Sequence, residues 1–218
     1  MIARSVREQS DAELPERLAA LVGSRLCHDL ISPLGAIGNG VELLQLSGEF
    51  PGIQRSSEVQ LISDSVSSAR DRITLFRMAF GHTVADQRIS CNELGTHLKS
   101  FDRNGRLRIR FEATGDMPRT EGRMILLALM CFETAMPWGG RVLICRGPTG
   151  WRLLAEAARV KVDDALWAWL SDTGEDEGKQ RPELTASEVH FGLLGLFARQ
   201  SIRPIQWEID DNGGEISF

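Results

Sequence analysis

The chain has 218 residues, 42% of them hydrophobic, and 25 basic against 30 acidic side chains leave a net charge of -5 at pH 7. That length buries a substantial core and fits one large domain or two small ones, and the acidic balance argues against the basic footprint of a nucleic-acid binder. Met1 to Asp11 lacks the basic-then-apolar pattern of a secretory signal, and the longest apolar run, Met124 to Phe132, falls well short of the about 20 residues that span a membrane. A soluble, cytoplasmic protein is expected, with neither nucleic acid nor membrane as a partner.

From Ala12 to Leu46, apolar residues recur at Leu14, Leu18, Val22, Leu26, Leu30, Leu34, Ile37, Val41 and Leu44, in steps of three and four that predict one long helix. Ser47 to Gly52 collects Ser, Gly and Pro and predicts a turn. Val59, Ile62, Val66, Ala69, Ile73, Phe76 and Phe80 then predict a second helix with a heptad seam, ended by Gly81. One hairpin cannot bury two apolar stripes, so pairing with a second copy into a four-helix bundle is expected; cover by the C-terminal region within one chain is the competing solution.

After Gly81 the texture changes. Leu107, Ile109 and Phe111 alternate with arginines as in a strand, and Arg119 to Met136 reads as a mostly buried helix closed by Pro137 and Gly139-Gly140. Arg141 to Cys145 and Trp151 to Glu156 predict a strand pair across Gly147 to Gly150. Helices are predicted over Val162 to Ser171 and Thr185 to Ser201, on either side of a polar loop from Asp172 to Arg181. Ile205 to Ile209 and Glu215 to Phe218 predict a closing hairpin with a turn of the Asn-Gly type over Asp211 to Gly214. The expected fold class is α+β, with a helical hairpin over residues 1–83 and an α/β sandwich over 84–218.

Cys27, Cys91, Cys131 and Cys145 form no C-x-x-C pair, and His28, His82, His97 and His190 lack metal-ligand spacing, so reduced thiols and no bound metal are expected. The informative stretch is Leu26-Cys27-His28-Asp29-Leu30-Ile31-Ser32-Pro33-Leu34-Gly35-Ala36-Ile37. On a helix His28 lies about 200° round from Leu30 and projects away from the apolar stripe. Its neighbours at one-turn spacing are Ser24, Arg25, Ile31, Ser32 and Gly35, several of them small enough to leave room for another protein.

An exposed neutral imidazole offers a nitrogen lone pair as nucleophile, and attack on a phosphoryl group would make it both acceptor and later leaving group. Asp29 is placed to hold the ring tautomer or take a proton, although adjacent helical residues diverge by about 100° and the carboxylate has to lean sideways. Pro33 removes the main-chain bond that would end on Asp29 and predicts a bend one turn beyond His28.

The arrangement H-D-L-x-S-P-L resembles the H box of dimeric sensor histidine kinases, and the string from Leu26 to Leu44, with Arg77-Met78-Ala79-Phe80-Gly81 closing helix two, more closely resembles the ChpT-type histidine phosphotransferases. That resemblance is specific over the first 81 residues and diffuse beyond them. It implies a hairpin dimer joined to a degenerate form of the kinase ATP-binding domain. It also implies transfer from the receiver domain of a hybrid histidine kinase, through His28, to response-regulator receiver domains. His28 and Asp29 are then the catalytic pair, and Arg25, Ile31, Ser32, Gly35, Arg70 and Arg77 the candidate docking face. No cofactor is expected on this chain, with magnesium on the partner receiver.

Two other readings compete. In an active kinase, the stretch Leu126 to Ile144 would supply a magnesium-binding Asn, but the matching position is Cys131, a poor ligand for a cation that prefers hard oxygen. No glycine pair follows Glu156, and the acids of Asp172 to Gly178 would repel a triphosphate. A non-enzymatic module that only binds receivers is the other possibility; it would bind without forming phosphohistidine.

Overall fold

The computed structural model describes residues 2–82, 86–103, 107–171, 183–200 and 204–218, and within these the side chains outside 2–17, 100–103 and 200. The chain divides into two compact units, Met1–Val84 and Ala85–Phe218.

The first unit is the expected hairpin. Helix α1 runs from Ile2 to Leu46, ten residues further toward the N-terminus than the apolar pattern indicated, and continues unbroken through Pro33. At 1.5 Å per residue it is about 68 Å long. A 3-10 turn at Ile53–Arg55, entered through Gly52 at φ 91°, leads into α2, Ser57–Phe80. Ser56 caps α2, its hydroxyl accepting from the Val59 amide at 3.3 Å.

Gly81 does end α2, but not by a left-handed conformation; its φ is -72°. The reason for glycine is proximity. A Cβ there would fall 2.2 Å from the Arg77 carbonyl oxygen and 2.9 Å from Ser24 Oγ. The close pass lets the His82 amide donate to Ser24 Oγ at 2.9 Å, tying the end of α2 to α1 one turn before His28.

The second unit is a five-stranded mixed sheet with helices against its buried face. Strands β1 (Arg88–Ser90) and β3 (Asp116–Pro118) form a small antiparallel pair. Strands β2 (Leu107–Glu112), β4 (Gly140–Gly147), β5 (Gly150–Glu156), β6 (Gln206–Asp210) and β7 (Gly213–Ser217) lie in the order β2-β4-β5-β7-β6, parallel only between β2 and β4. Val142, Ile144, Trp151, Leu153, Ala155 and Ile216 alternate onto the buried face, while the other face carries the two-pronged ion pair of Arg152 with Glu215 at 2.7 and 2.8 Å. That alternation is what an antiparallel sheet with one wet face requires.

Helix α4 (Arg119–Ala135) is the centre of this core, with every residue from Gly122 to Phe132 buried. Helix α3 (Cys91–Arg103) packs on β2, and α6 (Val189–Gln200) on α4. Phe132, Trp167, Phe191 and Trp207 meet ring to ring at centroid distances of 5.4 to 5.8 Å, gathered around Trp167. Trp151 is also core, stacked on Phe111, whereas Trp138 is exposed beneath the Arg159 guanidinium.

Several expectations shift. The helix expected over Val162 to Ser171 is a short α5 (Asp164–Trp167) followed by a 3-10 turn. Helix α6 begins at Val189 rather than Thr185; the residues before it form a turn closed by the Glu188 amide donating to the Thr185 carbonyl, with the Glu188 carboxylate accepting from both the Thr185 amide and hydroxyl. The last hairpin turns on Asp211-Asn212, and among the described residues none other than glycine has a positive φ, so it is not the type expected from Asn-Gly. Gly213 sits in β7 instead, where a Cβ would lie 2.1 Å from the Ala155 carbonyl oxygen. The loop expected over Asp172 to Arg181 lies outside the described residues.

Candidate functional site

The single apolar stripe read along α1 resolves into two rows. Ser24, Cys27, Ile31, Leu34, Gly38, Val41 and Gln45 repeat every seven residues and face α2, all of them buried or half-buried. The contacts define an antiparallel register. Phe80 lies against Gly23, while Val66 and the Arg70 guanidinium lie against Gly38.

One residue back, and so about 100° round the helix, Leu26, Leu30, Pro33, Ile37, Gly40 and Leu44 form a second row. Its leucines and isoleucine are 44 to 58% exposed. One residue forward lies a third row, Arg25, His28, Ser32, Gly35, Asn39 and Glu42. The His28 row and the exposed apolar row are therefore about 200° apart on one helix.

His28 projects from the third row with 73% of its side chain exposed. Asp29 Oδ1 stands 3.2 Å from its Nδ1, at the long end for a hydrogen bond, and Asp29 Oδ2 accepts from Arg25 Nε at 2.7 Å. The bonds from His28 and then from Arg25 hold the Asp29 carboxyl below the usual carboxylate range. An ionised carboxylate only accepts, so the proton in this contact belongs to Nδ1, and the neutral ring keeps its lone pair on Nε2. Nε2 is the edge turned away from Asp29.

The other candidate residues fall into three groups. Ser32 and Gly35 share the His28 row, and a Cβ at Gly35 would meet nothing within 4 Å. Ile31 belongs to the α2-facing row and is half-buried. Arg77 stands at the level of His28: burial pushes the neighbouring Cys27 thiol up, and the Arg77 charge draws it partly back. Arg70 is not at that level, since its guanidinium fills the notch over Gly38, about 15 Å along the axis from His28.

Ser24, read as a small open neighbour, is occupied by the His82 amide. A bond between residues 58 positions apart leaves no periodic signal in a sequence. Asn39 and Glu42 continue the His28 row and are exposed.

In the second unit, Cys131 is wholly buried in α4, and burial pushes its thiol well above the ordinary value. A neutral, sequestered thiol offers nothing to magnesium. Near it His190 is buried and neutral, its pKa lowered to about 4 mainly by desolvation, with Nε2 placed 3.1 Å from Thr134 Oγ1. Among the described residues, no three His, Cys, Asp or Glu side chains converge as a metal site, and no helix is long and apolar enough to cross a membrane.

Comparison with known proteins bears on both units. The chain is 33% identical over 129 residues to protein phosphotransferase ChpT of Brucella abortus (strain 2308), a match covering 58% of this chain and 59% of that protein. The match thus spans less than two thirds of that relative's length. Among solved structures, a bacterial phosphotransferase shares the fold with a TM-score of 0.60 at 22% identity, over 89% of this chain and 91% of the other. The α+β expectation of a helical hairpin followed by a sheet domain is met. The family model described as histidine phosphotransferase C-terminal domain matches residues 91–213; those residues make up more than half of the chain, from the start of α3 to the start of β7, and the chain belongs to that family.

Proposed function

We propose that this chain is a histidine phosphotransferase that relays a phosphoryl group through His28, from the receiver domain of a hybrid histidine kinase to response-regulator receiver domains, without ATP. The observation that carries the reading is the exposed His28 ring, anchored at Nδ1 by an ionised acid and open at Nε2.

In the forward step the Nε2 lone pair attacks the phosphorus of an aspartyl phosphate. The N–P bond forms as the O–P bond breaks, and the electron pair leaves on the receiver's carboxylate. The ring becomes cationic without losing a proton, and Asp29 stabilises that charge. Transfer onward reverses the step at a second receiver. Both partners bring their own magnesium, so this chain contributes mainly orientation. Ser32 and Gly35 flank the ring on the docking face, with Arg77 at its level.

A homodimer follows from the exposed row of Leu26, Leu30, Ile37 and Leu44, joined by the exposed Ile62 on α2. Such a contiguous apolar face is what a second hairpin would cover in a four-helix bundle. Because it lies about 200° from His28, dimerisation leaves the acceptor outward. Cys131, where a kinase would need a magnesium ligand, supports the absence of ATP chemistry, and the reading places the protein in the cytoplasm with soluble partners.

The test is transfer from a phosphorylated receiver domain carrying labelled phosphate. Wild type should take up acid-labile, base-stable label and His28→Ala none, with labelled ATP alone giving none in either. Equal labelling of the variant would refute His28 as acceptor. Receiver binding without any label on wild type would leave a binding module instead.

A further inference from the structure

Asp29 cannot reach the His28 ring by helix geometry alone, since consecutive side chains diverge by about 100°. Arg25 stands where it can close that gap. One turn toward the N-terminus, it lies angularly between the two, about 60° from His28 on one side and about 40° from Asp29 on the other. Its Nε takes Asp29 Oδ2 at 2.7 Å while Oδ1 is left facing His28 Nδ1 at 3.2 Å. Each carboxylate oxygen thus has one partner, and the guanidinium draws the acid back across the helix toward the ring.

The strength of the Arg25 contact is not what matters. The Arg25 and Asp29 side chains are 76% and 48% exposed, and an ion pair at i,i+4 on a wet surface adds little stability. What it supplies is direction. An unanchored aspartate on an open helix face samples several rotamers, and only those leaning toward residue 28 touch the ring.

We propose that Arg25 is a positioning residue for phosphoryl transfer: it holds the Asp29 carboxylate against His28 Nδ1, so that the neutral ring keeps its proton there and presents Nε2 to the phosphoryl group. The proposal rests on the phosphotransfer reading above and adds to it a cause for the reactive tautomer. When Nε2 bonds to phosphorus, the proton stays on Nδ1 and Asp29, still held by Arg25, faces the new positive charge. A docking role for Arg25 would instead act on receiver affinity and leave the free ring unchanged.

The measurement is made on the full chain without any partner, by long-range proton–nitrogen NMR of the His28 ring above its titration range. Wild type should show the Nδ1–H form in excess, and Arg25→Ala should shift the ring toward Nε2–H, with Arg25→Lys in between because an ammonium keeps the charge but lacks the planar fork. In parallel, transfer at saturating phosphorylated receiver should fall roughly tenfold in Arg25→Ala, a part of what a positioned acid–base group contributes, while receiver affinity stays within about twofold. An unchanged ring spectrum in Arg25→Ala overturns the proposal, as does a loss of transfer explained wholly by weaker receiver binding. Should wild type accept no phosphoryl group at all, the functional reading fails, and the ring spectrum still decides whether Arg25 sets the tautomer.

Discussion

The two units solve opposite problems with similar side chains. In the C-terminal unit, a sheet face and three helices enclose the apolar residues of α4, and leucines such as Leu126, Leu127 and Leu129 have no exposed surface. In the hairpin, Leu26, Leu30 and Ile37 keep half or more of theirs exposed. Two helices touch along one seam only, so each has a flank that nothing within the hairpin covers. The first arrangement makes a closed core; the second leaves one apolar flank open and, about 200° away, the exposed face that carries His28. A leucine therefore has a different meaning in each unit, and substitution should reveal it.

The strongest way to break the contrast is to charge the open row. Ile37→Asp with Leu44→Asp should convert the protein wholly to monomer in sedimentation or light scattering while its helical circular dichroism persists. An unchanged mass would show that this row is not the dimer face. Next in size is a truncation in the closed core, Leu129→Ala, expected to cost about 4 kcal/mol in denaturant unfolding because a buried cavity is left behind. Leaving oligomeric mass unaltered, it would mirror the first experiment.

The smallest of the three effects concerns acid. His190 is neutral in the folded core with a pKa near 4, against an ordinary value of 6.5. The unfolded chain takes up the proton first, so stability is highest above pH 6.5, declines as pH falls, and levels off below pH 4. The total loss is on the order of 3 kcal/mol. Replacing His190 with Gln should flatten that slope in urea titrations between pH 7 and 4, and a slope equal to wild type would show that another group sets it. The hairpin holds no comparable buried histidine among its described residues, so acid should loosen the second unit preferentially.

Legibility followed the same division. Helical periodicity and the turn around Gly48 and Pro51 located both hairpin helices, because a long helix repeats its signal many times. The merging of two rows into one stripe was the price of reading hydrophobicity alone. Three of the seven seam residues, Ser24, Cys27 and Gly38, are small and serve close approach rather than hydrophobicity. In the second unit the region before Leu107 went unread: β1 has three residues, and α3 follows it without a turn signal. The glycines of β7 were taken for turn residues because a sequence does not show a neighbouring carbonyl.

By itself, the order of residues determined the two-unit plan, the placement of His28 away from the apolar stripe, and an acid beside it. These are consequences of helical periodicity and of side-chain chemistry, both local. Tertiary structure alone decided that Ser24 is taken by His82, that Arg70 sits over Gly38 far from His28, and that Cys131 lies inside the core. Those depend on which atoms from distant parts of the chain compete for the same space. The Arg25 clamp stands between the two kinds: its spacing of four is written in the sequence, but only coordinates assign each carboxylate oxygen its partner.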